Sequence, residues 1–165
     1  MTAGTRKRGS AGARACNITI LDESGVVEPD RQAIQTVVDA ALAEDGMESC
    51  ALTVLIVDDA ESARLHREHF DVDGTTDVMT FPDDSTDPET GLHLLGDLAV
   101  CAEVAAREAA ERGRSASDEL TLYVLHGLLH LLGYDDEDPA DQAEMWAVQR
   151  RLLATVGIAL EEEPS

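Results

Sequence analysis

Apolar positions along the chain change their period several times, and each change predicts an element. From Asn17 onward Ile18 and Ile20 alternate with polar neighbours, the two-residue period of a short strand. Pro29-Asp30 then opens a segment in which Ile34, Val37, Val38, Ala41 and Leu42 recur at helical spacing, until Gly46 offers a left-handed stop. The run Leu52-Thr53-Val54-Leu55-Ile56-Val57 is short, β-branched and apolar on both faces, as expected of a central strand. A short helix is expected from about Ala60 to His69, a turn at Asp73-Gly74, and a strand Asp77-Val78-Met79-Thr80-Phe81 closed by Pro82. Residues 83–91 carry four acids and a proline and are expected to be loop. Leu94 to Val100 suits a fourth strand, and residues 102–112 form an Ala/Glu/Arg helix pattern stopped by Gly113.

The rest of the chain has a helical pattern. Ser115-x-x-Asp118 has the form of a capping box and leads into an apolar segment, Leu120 to Leu132, ended by Gly133. Asp138-Pro139 opens a last helix with Met145, Val148, Leu152 and Val156 on one face. Strands with helices inserted, followed by a helical C-terminal half, predict an α+β fold: a small mixed sheet of about four strands with helices packed on it. At 165 residues and 44% apolar content, the chain supplies one core. Residues 1–15, rich in Gly, Ala, Ser and Arg and without periodicity, are expected to be a disordered basic tail, and residues 16–165 a single domain.

Charge narrows the partners. The chain carries 34 acidic residues against 12 basic ones, a formal charge of −22. Arg6, Lys7, Arg8 and Arg14 fall in the acid-free first fourteen positions, so the body is more acidic than the total suggests. Such a balance opposes any broad electrostatic grip on nucleic acid and suits a solvated surface. Cys16, Cys50 and Cys101 are odd in number, widely spaced and in no CxxC pair, which points to neither a disulfide frame nor a thiolate metal site. No apolar run approaches the roughly 18 residues of a membrane span, and the N-terminus lacks the apolar centre of a signal peptide. A cytoplasmic protein with no membrane or DNA partner is expected.

The chemistry is concentrated in Leu125-His126-Gly127-Leu128-Leu129-His130-Leu131-Leu132-Gly133-Tyr134-Asp135-Asp136. His126 and His130 stand one turn apart on a helix that is apolar almost all round and therefore buried. Two desolvated imidazoles facing each other need hydrogen bonds or a metal ion. Gly133 lets the chain reverse and brings Asp135 or Asp136 to where a third ligand would approach. Two imidazoles and one carboxylate suit a Zn2+ ion with a position left for water, the composition of catalytic sites. Gly127 costs about 1 kcal/mol against Ala within a helix, which predicts close packing of another backbone beside it. His126 is followed by Gly127 and not by the Glu of zinc proteases, so proteolysis lacks its usual general base. His66 and His69, with Arg67 between them, suit a solvated helix face better than a second metal pair.

The segment His126 to Asp135 closely resembles the signature of the YbeY family, bacterial ribosomal RNA maturation factors also described as metal-dependent endoribonucleases. Thr76-Asp77-Val78-Met79-Thr80-Phe81-Pro82 resembles the family's Thr-Asp-Val-Leu-Ser-Phe-Pro block along the cleft, and Leu95-Gly96-Asp97-Leu98 its third block. The resemblance spans about residues 50 to 156. It implies a substrate cleft with Thr76, Asp77, Thr80 and Phe81, one metal ion per chain, single-stranded RNA as substrate, and the small ribosomal subunit with its assembly factors as partners. Two departures stand out. Asp136 occupies the position of the family's third histidine, which makes it the expected third ligand. It also makes water on the ion less acidic and widens tolerance toward Mn2+ or another divalent ion. Phe70 occupies the position of a basic residue held to handle phosphate; Arg67 or Arg64, on the preceding predicted helix, are the candidates to replace it. Asp135 is the candidate acid for catalytic assistance. Two further functions stay open at this point: an assembly factor whose metal is structural, and a metal hydrolase of another substrate.

Overall fold

The structure, a computed structural model, describes residues 15–161. The expected tail lies outside these residues except for Ala15, which already begins a strand. Strand β1 (Ala15–Asp22) leads to helix α1 (Arg31–Asp45), β2 (Ser49–Val57) and α2 (Asp59–Phe70), then to β3 (Val78–Thr86) and β4 (His93–Cys101). Helices α3 (Ala102–Arg112), α4 (Ala116–Leu131) and α5 (Pro139–Ala154) complete the α+β domain. The sheet order is β1-β2-β4-β3; β2 runs parallel to β1 and β4, and β3 runs antiparallel to β4.

Local sequence sets the helix ends. Asp30, Asp58, Ser115 and Asp138 each accept a backbone N–H of the first turn, at 3.0, 2.8, 3.1 and 2.8 Å. The predicted stripe Ile34, Val37, Val38, Ala41 and Leu42 is the buried face of α1. Between β1 and β4, β2 is central in the sheet, but its two faces differ from the expectation. Leu52, Val54 and Ile56 are buried in the main core while Thr53 and Leu55 are half-covered, because α1, α4 and α5 gather over the first face. Cys16 and Cys50, far apart in the sequence, are paired in register on neighbouring strands and remain free thiols.

β3 does not close at Pro82. It continues to Thr86 through part of the expected loop, pairing Ser85 with Leu94 and Thr86 with His93. A bulge between Pro82 and Ser85, with Asp84 at φ 67°, absorbs the proline, and the edge position leaves its missing N–H without consequence.

Helix α4 sits at the centre of the domain, against β3, β4, α1, α3 and α5. A Cβ at Gly127 would lie 2.9 Å from Leu98 Cδ2 and 3.0 Å from Val78 Cγ2, so the close neighbours are side chains of the sheet rather than another backbone. At the entry to α4, the fully buried Glu119 pairs with Arg114 at 3.1 Å. Gly96 fixes the β3–β4 contact: its φ is +136°, and a Cβ there would lie 2.3 Å from the Phe81 carbonyl oxygen. Gly96→Ala is expected to cost about 2–4 kcal/mol through strain and overlap with backbone that cannot yield, read as a lower urea midpoint at unchanged slope.

Candidate metal centre and its cleft

α4 carries His126 and His130 on one face, each imidazole 28% exposed. Gly133, at φ +100°, reverses the chain, and Tyr134 N–H donates to the Leu129 carbonyl at 2.9 Å. The reversal sets the Tyr134 carbonyl oxygen 3.2 Å from His130 Nδ1. From α5, Gln149 Oε1 lies 2.6 Å from His126 Nδ1. Both Nδ1 atoms face carbonyl oxygens, which assigns them the protons and leaves both Nε2 atoms as bare acceptors. These Nε2 atoms are 3.1 Å apart, and Asp136 Oδ2 is 3.6 Å from the first of them, on His130, and 3.9 Å from that of His126. Three lone-pair atoms therefore converge with no donor of their own, a set that attracts a cation. Their ligand atoms lie within 4.8 Å of one another, so the cluster could hold a metal ion.

The other expected residues separate. Asp135 turns away: its carboxylate accepts from Asp136 N–H at 2.7 Å and Glu137 N–H at 3.2 Å, shaping the loop that presents Asp136. Arg67 pairs with Asp73, and Arg64 with Glu61 and Glu68; neither lines the cleft. Thr76, Asp77 and Thr80 do line it. Phe81 stands behind the wall, its ring 5.7 Å from Phe70 and 5.1 Å from His69. His66 is half-buried and lines the cleft, its Nδ1 2.9 Å from the Gly74 carbonyl oxygen, while His69 is exposed.

The cleft has two lobes that share Thr76, Asp77 and His126. The larger, about 500 Å3, lies toward α3 and α5 and is lined by Arg107, Glu108, Arg112, Tyr123, Trp146 and Gln149 among others. The smaller, about 430 Å3, lies toward α2 and holds His66, Phe70, Thr80 and His130. Arg107 grips Asp59 with both terminal nitrogens, at 2.7 and 3.1 Å, and these bonds hold the Asp59 carboxyl below its usual range. Burial, then the Glu119 carboxylate, push the Tyr123 hydroxyl upward, so it stays protonated.

Sequence reasoning missed Gln149, Arg107 and Arg112. Gln149 did leave a signal: it is polar but lies on the buried face of α5 with Met145 and Leu152, while Val148 and Val156 are only partly buried. For the two arginines there was no local signal, since only the packing of α3 beside α4 turns them toward the cleft.

Comparison with known proteins agrees with this geometry. The model of the family described as Endoribonuclease YbeY matches residues 18–157. The Endoribonuclease YbeY of Salinispora tropica is 43% identical over 150 residues, covering 84% of this chain and 95% of its own. That of Mycobacterium tuberculosis is 40% identical over 145 residues, covering 83% and 81%. A solution structure from Thermotoga maritima superposes with a TM-score of 0.57 at 25% identity, covering 84% of this chain and 88% of that one. The matched segment runs from within β1 to beyond α5 and contains the whole histidine cluster, and the chain belongs to the YbeY endoribonuclease family.

Proposed function

We propose that this chain is a metal-dependent endoribonuclease that cuts single-stranded RNA in the cytoplasm. Its role is in ribosomal RNA processing, during maturation of the small ribosomal subunit and among that subunit's assembly factors. His126, His130 and Asp136 hold one Zn2+. The observation that carries this reading is the convergence of two bare Nε2 atoms and a carboxylate beside an open cleft, in a chain whose relatives are endoribonucleases by name. Two nitrogens and one oxygen suit Zn2+, and Asp136 in place of an imidazole keeps Mn2+ within range. Bound there, the ion supplies a Lewis acid for a phosphoryl oxygen and lowers the pKa of water.

The chain's own residues do the rest. Gln149 and the Tyr134 carbonyl hold the two imidazoles in tautomer and orientation, and the Asp135 turn holds Asp136 toward them. Arg107 and Arg112 take the place expected of Arg64 or Arg67 as the arginines that face the charge of the phosphodiester. Arg107 is preorganised by Asp59; Arg112, tied more loosely to Glu108 at 3.4 Å, can turn to a phosphate oxygen. Thr76 and Thr80 offer hydroxyls to sugar or base edges.

Three outcomes test this. Cleavage of an unpaired RNA should stop on chelation and return with Zn2+ or Mn2+, and Asp136→Ala should lose about 100-fold in rate with an unchanged circular dichroism spectrum. RNA left intact by excess metal-loaded protein would sink the reading. Calorimetric titration of Zn2+ into Gln149→Leu should show affinity about 10–100-fold weaker, while Gln149→Glu, which keeps an acceptor for Nδ1–H, should stay near the parent. Arg112→Gln should raise KM several-fold and flatten the slope of log affinity against log salt by about 0.7, one phosphate contact on a single strand.

A further inference from the structure

Phe70 is one of four large apolar side chains that stay exposed among the described residues, 46% open, and it lines the smaller lobe beside His126 and His130. It is not a loose surface ring. Asp71, at φ 55°, turns the chain as the left-handed cap of α2, and the Phe70 ring is braced by His66 at 6.1 Å and Phe81 at 5.7 Å. His66 is itself tied to the Gly74 carbonyl, and Phe81 to the edge of His69.

The chemistry of this lobe differs from that of the other. No arginine or lysine is among its lining residues, and its one formal charge is the Asp77 carboxylate, which repels phosphate. What it offers is an aromatic surface, the hydroxyls of Thr76 and Thr80, and about 430 Å3 of space, within the range of small-molecule sites. In a polyanionic strand the base is the uncharged planar component. The two lobes meet at His126, so a strand with its phosphate at the arginine lobe would have the Phe70 ring within its path.

We infer that Phe70 is the platform of a nucleobase subsite, on which an unpaired base next to the scissile phosphate stacks. This rests on the RNA reading above. Stacking on an aromatic side chain tolerates any base, so the subsite selects unpaired strands over duplex without reading sequence. It also gives a cleft without net positive charge a source of affinity that salt does not screen.

The test is fluorescence binding of a phosphorothioate-linked single-stranded oligonucleotide carrying one 2-aminopurine, with the metal-loaded full chain. A matched oligonucleotide, abasic at that position and labelled at its end, is the control. Phe70→Ala and Phe70→Leu should weaken binding of the first about five- to 100-fold and lose the 2-aminopurine quenching. Phe70→Trp should keep both, and the abasic strand should bind all four proteins alike. Parent-like affinity in Phe70→Leu, or equal losses on the abasic strand, would overturn the subsite. Phe70-dependent binding without cleavage of ordinary RNA would leave the subsite standing and defeat the nuclease reading; a parent protein that binds neither strand would defeat both. Melting temperatures of the variants check that each is folded, as expected for so exposed a ring.

Discussion

Packing α4 into the domain sets two imidazoles edge to face on the wall of the cleft, each still 28% exposed, and the elements around them hold that arrangement. The helix is apolar almost all round, so most of it is covered, and the covering elements supply the partners of both Nδ1 atoms while the Nε2 atoms face the cleft. Gly127 lets the helix settle onto Leu98 and Val78. α5 crosses with a single buried glutamine aimed at one Nδ1, and the Gly133 reversal returns a main-chain oxygen to the other. Once both Nδ1 atoms are held, the Nε2 pair stands 3.1 Å apart with lone pairs opposed, an arrangement that a shared cation would relieve. The orientation that opposes the two lone pairs is thus the one that lets the cluster hold a metal ion.

What the sequence made legible was local. The α1 stripe, the four polar caps and the His-x3-His spacing depend on residues within one or two turns, so periodicity and capping chemistry revealed them. What it concealed depends on contacts between distant segments. Pro82 signals a strand end by itself, yet an edge position and a bulge let β3 run on to Thr86. Asp135 and Asp136 are equivalent by composition; the turn hydrogen bonds that occupy Asp135 leave Asp136 to face the imidazoles. Arg64 and Arg67 are the basic residues nearest Phe70 in the chain, but α2 spends both on acids of its own neighbourhood. The cations that face the cleft come from α3, about forty residues later, through packing that no spacing rule encodes.

The charge of −22 takes on a different meaning in this setting. At physiological ionic strength the Debye length is about 8 Å, so most surface carboxylates are screened from a strand lying in the cleft. What such a strand meets is a short list. In the larger lobe Arg107 and Arg112 offset Asp77 and Glu108, which makes that wall formally neutral in a strongly acidic protein. In the smaller lobe an aromatic ring replaces cationic charge altogether. Long-range steering is therefore absent, and encounter proceeds at the rate of an unassisted collision, or slower while surface carboxylates still repel. Affinity must then come from contacts made at close range: a cation between the histidines, one or two arginines on phosphate, and a face for a base. In the function proposed above, that division favours RNA already held near the protein over free RNA captured from solution.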